Sequence, residues 1–205
     1  MTGAAPAPGT PDPGTQDPGT LGAGFKDAPI DAARAFRAAL NAMARPGRIG
    51  TLAGVTPPAP LSPAAGALIL TLCDFETALY LAPGHDGDAV KRWVLFHTGA
   101  RLTGPAEADF ALGTWAGLQP LTPYRRGTAE YPDRSVTLIV ESDRLHADRH
   151  RLTGPGIRTD ALLRLPETEA FIANRRLFPR GFDCYFTAGT ALAALPRSTR
   201  IEEAG

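Results

Sequence analysis

The stretch Phe178–Thr199, FPRGFDCYFTAGTALAALPRST, constrains what this chain can fold into more than any other. Pro179 cannot continue a helix and Gly181 supplies a free turn, so a preceding helix should stop at Phe178. Phe182, Cys184 and Phe186 then alternate with Asp183, Tyr185 and Thr187, the period of a half-buried strand. Ala188-Gly189-Thr190 is short enough to turn a hairpin, and Ala191–Leu195 supplies its second, apolar arm. Pro196 ends the pairing, so Arg197, Ser198 and Thr199 should emerge polar at the rim. Such an edge reads in two ways: a binding edge carrying a guanidinium and two hydroxyls, or a solvated exit from a strand.

The chain around it divides by composition. Residues 1–24 are almost all Pro, Gly, Ala and Thr, and Pro-Gly-Thr recurs at 8–10, 13–15 and 18–20. That repeat has no apolar face to bury and reads as a flexible N-terminal extension. Residues 25–205 are expected to form a single α/β domain, long enough to bury about 70% of its unfolded surface. The start of the chain lacks the basic and apolar regions of a signal peptide, and no run approaches a membrane span of about 20 apolar residues. A net charge of zero argues against a nucleic-acid binder held by a basic field. Cys73 and Cys184, the only cysteines, make no disulfide framework and suit a reducing cytoplasm. They are also too few for an iron–sulfur cluster held by four thiolates, and each sits in an apolar run.

In chain order, Asp31 is a candidate cap for a helix over Ala32–Ala44, whose stripe Ala32, Phe36, Leu40, Met43 has helical spacing, while alanines over much of the remaining surface would let neighbours pack closely on more than one side. Ser62-Pro63 reads as the start of a short helix that is apolar on every side and therefore buried. Ala78–Ala82 reads as an interior strand. Asp86 or Asp88 should open a helix with Val90, Trp93, Val94 and His97 on one face and Gly99 at its exit; His97 reads as a satisfied boundary residue. A strand is expected near Ala108–Leu112, then a proline-rich irregular stretch from Trp115 to Asp133 that a partner could cover. Ser135–Glu141 is the clearest buried strand, and Arg149–Thr153 is expected to pair beside it. A last helix from Pro166 should carry Glu167 and Glu169 in its first turn and Arg175 and Arg176 in its last. The alternation predicts an α/β fold with a mixed β-sheet flanked by helices.

Few chemistries survive inspection. There is no Gly-Lys-Ser or Gly-Lys-Thr phosphate loop; Gly154-x-Gly156 is followed by Thr159 where a dinucleotide fingerprint needs glycine; no Gly-x-Ser-x-Gly elbow occurs. His146 and His150 have a metal-compatible spacing only on a helix, and this segment heads into a strand, so no metal site is expected. Of the basic residues 19 are arginine, with only Lys26 and Lys91 as lysine, a bias that coding composition explains. Three turns, Arg45–Arg48, Thr153–Arg158 and Arg197–Arg200, set Gly or Pro beside a guanidinium, a concavity suited to phosphate oxygens. Candidate binding residues are Thr153, Gly154, Gly156, Arg197, Ser198 and Thr199, with ordinary loop chemistry as the plainer reading; no catalytic residue is assigned.

The ordered segments FRAALNAMARPG (Phe36–Gly47), YPDRSVTLIVE (Tyr131–Glu141), RLTGPGI (Arg151–Ile157), FPRGFD (Phe178–Asp183) and LPRST (Leu195–Thr199) resemble the PhnH family, a subunit of the bacterial carbon–phosphorus lyase system. The family pattern often ends Pro-Arg-Thr-Thr; Ser198 here keeps a hydroxyl. The resemblance covers about residues 25–200. It implies a fold like a reduced pyridoxal-phosphate-dependent transferase without the cofactor, a homodimer in isolation, and membership of a core complex with the other carbon–phosphorus lyase subunits. That complex attaches an alkylphosphonate to ribose C1 of ATP and releases adenine, so contact with ATP or phosphonate is an expectation. An accessory, non-catalytic subunit with no cofactor is thus expected, independently consistent with the scarcity of lysine for a Schiff base. The alternatives are a standalone nucleotide- or phosphonate-binding module and a pyridoxal-phosphate-type transferase.

Overall fold

The computed structural model describes residues 23–203, so the proposed extension 1–24 lies outside the described residues except for Ala23 and Gly24. Ala23 exchanges two backbone hydrogen bonds with Thr56, at 3.1 and 2.9 Å. Helix α1 (Ala28–Ala44) follows. Its cap is Asp27, which accepts the Ile30 N–H at 3.4 Å, while Asp31 in the first turn accepts the Asp27 N–H. The expected start at Asp31 is thus corrected by one turn, because Pro29 in the first turn sacrifices no helical hydrogen bond.

Strand β1 (Gly50–Thr51) leads to helix α2 (Pro63–Leu72), capped by the Ser62 hydroxyl on Ala65 N–H and buried from Ala64 to Ile69 as its apolar girth requires. Strand β2 (Ala78–Leu81), helix α3 (Asp88–Thr98, closed by left-handed Gly99), β3 (Arg101–Leu102), β4 (Phe110–Thr114) and β5 (Thr137–Glu141) come next. The strand expected at Ala108–Leu112 therefore sits two residues further on. Then follow β6 (His150–Thr153), β7 (Ala161–Leu162), helix α4 (Thr168–Arg176), β8 (Asp183–Ala188), β9 (Ala191–Leu195) and β10 (Arg200–Glu203).

A seven-stranded mixed sheet runs β1-β9-β8-β5-β4-β2-β3, parallel from β8 through β3 and antiparallel across β8–β9–β1. The mixed α/β architecture agrees with the sequence expectation, and the hairpin closes with Ala188 opposite Ala191. Two expectations fail. First, β6 does not lie beside β5; it pairs antiparallel with β10 and β7 in a separate three-stranded sheet. Second, β8 is not half-buried but buried on both faces. Tyr185 packs with α1, α2 and α3, whereas Cys184 and Phe186 pack with α4 and the small sheet. Covering both faces of the large sheet is what permits a near-continuous apolar strand.

Helix α1 packs closely through its alanines, as their coverage of the helix allows: Ala35, Ala39 and Ala42 are its buried residues and Met43 packs against the core, whereas Phe36 is 53% and Leu40 57% exposed. Alanines face α2 because both helices must approach closely over the sheet, which large side chains would prevent.

Candidate functional site

Three of the segments singled out above meet at the C-terminal end of α1. The turn after β6 lies flush against it: at Gly156 (φ 81°) an added Cβ would stand 2.1 Å from the Ala44 carbonyl oxygen. Gly154 (φ 130°) passes the Ser198 carbonyl, to which a Cβ would approach within 3.3 Å, and Gly47 (φ 84°) lets the turn after α1 close on Ala161. Glycine is required at all three because the approach and the positive φ each exclude a side chain. The expected bend of the chain at Pro196 forms, with Thr199 N–H on the Pro196 carbonyl at 3.0 Å.

Three connected grooves surround this junction. One, of about 440 Å³, is lined by Leu40, Met43, Pro155, Gly156, Pro196 and Ser198 among others. A second, of about 230 Å³, is lined by Arg45, Arg48, Arg158, Asp160 and the glycine turns. The third, of about 280 Å³, lies on the other flank of α1 and shares Arg45 and Arg48 with the second. Arg45, Arg48 and Arg158 are exposed and enter none of the ion pairs among the described residues, whereas Asp160 pairs with Arg151 at 3.5 Å. Two of the three sequence-proposed anion turns, 45–48 and 153–158, are thereby brought together.

The third turn reaches the junction through Pro196 and Ser198, but its arginine is not part of that cluster. Arg197 is only 13% exposed and every nitrogen of its guanidinium is engaged. Nε and Nη2 grip the Asp183 carboxylate at 2.6–3.2 Å, Nη2 also donates to Ser135 Oγ at 2.6 Å, and Nη1 donates to the Pro132 carbonyl at 2.6 Å. Of the three residues expected at the rim, two are corrected: Arg197 is a tether, and Thr199 is buried with no partner for its hydroxyl among the described residues, whereas Ser198 stays half-buried at a groove wall. Thr153 is half-buried in β6 opposite Arg200; of the candidates, Gly156 and Ser198 line the grooves.

The grooves hold guanidinium and backbone groups but neither histidine, cysteine nor lysine. Cys73 is buried and its thiol is pushed up to about 12 by burial; burial likewise raises Cys184. Neither is a nucleophile near neutral pH. His150 is buried, accepting the Leu165 N–H at Nδ1 (3.0 Å), so Nε2 carries the proton and donates to Thr168 Oγ1 at 2.9 Å. His97 packs against Trp93 with the rings tilted at 56°, and its Nε2 has no partner among the described residues, so it lies at the boundary as expected without being satisfied. No group of three or more metal-ligating side chains occurs among the described residues.

A polar cluster missed by sequence reasoning sits at the carboxyl edge of the sheet. Glu141, buried at the end of β5, accepts the Ser62 N–H at 2.7 Å and the Thr187 hydroxyl at 2.9 Å. It thus fastens the N-terminus of α2, whose dipole favours a carboxylate there. The signal was a charged residue closing an otherwise apolar interior strand. Buried His85 lies nearby, its pKa lowered by burial and partly restored by Glu141.

Comparison with known proteins bears on this junction directly. The family model "Bacterial phosphonate metabolism protein (PhnH)" matches residues 23–202. The chain is 40% identical over 189 residues to the alpha-D-ribose 1-methylphosphonate 5-triphosphate synthase subunit PhnH of Rhizobium meliloti (strain 1021), covering 87% of this chain and 94% of that one. It is 32% identical over 179 residues to the putative C-P lyase subunit protein HtxG of Stutzerimonas stutzeri, covering 83% and 86%. The match spans every described strand and helix that builds the glycine-and-arginine junction except the last residue of β10, and the chain belongs to the PhnH family.

Proposed function

We propose that this chain is a non-catalytic subunit of an assembly that carries out the ribose 1-methylphosphonate 5-triphosphate synthase step of phosphonate catabolism. The observation that carries the reading is its identity to a synthase subunit along almost that subunit's whole length. The chemistry of the grooves supports it: guanidinium groups orient and neutralise anions, and the carboxylates that line the grooves, Asp160 and Asp183, are paired with Arg151 and Arg197. Deleting the coding sequence should abolish growth on methylphosphonate as sole phosphorus source and leave growth on phosphate intact; retained growth on methylphosphonate would refute the reading.

Contact with ATP or a phosphonate belongs to the same proposal. Arg45, Arg48 and Arg158 would supply the charge, Gly156 and Ser198 the wall, and Thr153, Gly154, Arg197 and Thr199 the frame behind it. The α1 carbonyls oppose an anion set on the helix axis, so the ligand would lie along the arginine side chains. Calorimetric titration with ATP should weaken at least tenfold in an Arg45→Ala, Arg48→Ala, Arg158→Ala variant.

The remaining features are proposed on less. A reducing cytoplasm suits two buried free thiols, and no helix among the described residues is long and apolar enough to cross a membrane. A homodimer in isolation is supported by exposed Phe75, Leu95 and Phe96, whose flanking residues Asp74, Glu76, Lys91 and Arg92 carry both signs, as a self-complementary contact favours. The resemblance to a pyridoxal-phosphate transferase fold stays part of the proposal, resting on the sequence motifs.

A further inference from the structure

We infer that the outer face of α1 is the surface by which this chain docks onto a companion subunit, and that the partner presents an apolar cleft with an acidic rim. The inference rests on the reading of the chain as a synthase subunit and adds where and how it assembles.

The ridge is built from Phe36 and Leu40, with Ala33 and Ala44 continuing it along the same helical face. More than half of each large side chain stands in water, on a helix whose alanines already meet the core. Exposed aromatic and leucine side chains one turn apart are how helices present anchors to a groove. The ridge borders the 440 Å³ groove through Leu40, so a docked partner would cover ridge and groove together. Scattered exposed apolar residues need no explanation, but a contiguous ridge beside a concavity marks an interaction site.

Charge selects among the occupants. Arg37 flanks the ridge and Arg45 and Arg48 close its C-terminal end, all exposed and outside the ion pairs of the described residues. The acidic neighbours are already taken: Asp31 contacts Arg34 at 3.4 Å and Asp183 holds Arg197. A second copy docking by the same face across a two-fold axis at Phe36–Leu40 would set Arg37 beside its own copy and would offer Arg45 only Asp31, which already contacts Arg34 at 3.4 Å. Residues 1–22 carry Asp12 and Asp17 but only Met1 and Leu21 as large apolar side chains, too few to wall a cleft around both Phe36 and Leu40. A companion subunit with carboxylates around an apolar cleft satisfies both ridge and rim.

The test is co-expression of the full chain with the other synthase subunits from the same source, followed by affinity purification and light scattering. Phe36→Glu with Leu40→Glu should lower recovered companions at least tenfold, the milder Phe36→Ser with Leu40→Ser less, and Arg37→Glu with Arg45→Glu comparably to the first. Thermal melting should stay within error for the ridge variants because both side chains are exposed. Phe75→Glu with Phe96→Glu should leave recovery unchanged. Full recovery in the ridge variants, or loss of self-association alone, would overturn the docking face while leaving the subunit reading in place. Failure of the wild-type chain to co-purify in any combination would instead overturn that reading, and the docking face with it.

Discussion

Replacing Arg197 by alanine removes a guanidinium that ties β8 to two irregular segments of the chain. It holds Asp183 on β8, the Pro132 carbonyl and the Ser135 hydroxyl before β5, and, at 3.5 Å, the Pro179 carbonyl after α4. Breaking a buried pair from one side costs about 3–5 kcal/mol, chiefly because the abandoned charge stays desolvated. Asp183 is 25% exposed and keeps the backbone N–H of residue 197 at 2.8 Å, which places the carboxylate's share at the low end. The Pro132 and Ser135 acceptors lose charged partners worth about 1 kcal/mol each after water replaces them in part. The sum is about 5 kcal/mol.

With a urea slope of about 2 kcal/mol/M, the unfolding midpoint should fall by about 2.5 M. Arg197→Lys keeps the charge but not the planar fork, and should lose about half as much. Arg197→Ala with Asp183→Ala should be less damaging than Arg197→Ala alone, since no orphaned carboxylate remains. A midpoint shift below about 0.5 M, together with weakened ATP binding, would refute this reasoning and return the guanidinium to a ligand. A structural tether predicts the reverse: lower stability, with affinity altered only as the frame loosens.

Three further outcomes follow from the same geometry. Asn174→Ala should cost about 2–3 kcal/mol in urea unfolding, because its amide both donates to and accepts from Phe182 at 2.8 and 2.9 Å and the backbone would be left unsatisfied. Gly156→Ala should lower the midpoint by at least about 1 M, since its Cβ would collide with the Ala44 carbonyl; an unchanged melt would show that the turn yields freely. For His150, burial lowers the folded-state pKa below the ordinary value of 6.5. On acidification the unfolded chain takes the proton first, so the stabilisation is complete above about pH 6.5 and declines below it, by at most about 1.4 kcal/mol per pH unit. His85 titrates in the same direction and window. Urea midpoints between pH 7.5 and 5.5 should therefore fall for the wild type and less for His150→Gln; parallel profiles would exclude His150 as a source.

Local rules carried the reading where one residue decides a local conformation. Ser62-Pro63, Gly99 and the Gly189 turn behave as caps and turns behave anywhere, and each stands where the pattern placed it. Long-range pairing was hidden because it depends on what covers a face. An alternating HRLT segment could join β5 as well as β10, and only the third layer, with Leu152 and Ile201 packed against Phe171 and Phe182, decides for β10. The site was legible in pieces: the turns at 45–48 and 153–158 were visible, but their meeting is a product of tertiary contact. Arg197 misled because a strand-end arginine looks the same whether it faces water or Asp183.

The packing of α1 shows why a periodic apolar stripe does not by itself mark the core face of a helix. A helix carrying both an alanine face and a Phe-Leu face offers two amphipathic solutions, and transfer free energy alone prefers the larger side chains inside. Packing overrules it here, since α1 lies over α2, which is itself buried from Ala64 to Ile69, and both press on the same sheet. Inserting Phe36 between two such helices would force them apart and open voids along Ala35, Ala39 and Ala42, a loss spread over the whole layer. The large residues are left outside because no room exists within. A chain that keeps phenylalanine and leucine there, flanked by arginines, retains an apolar surface that does nothing for its own fold, and a contact with another subunit is the physical circumstance in which that arrangement stabilises anything.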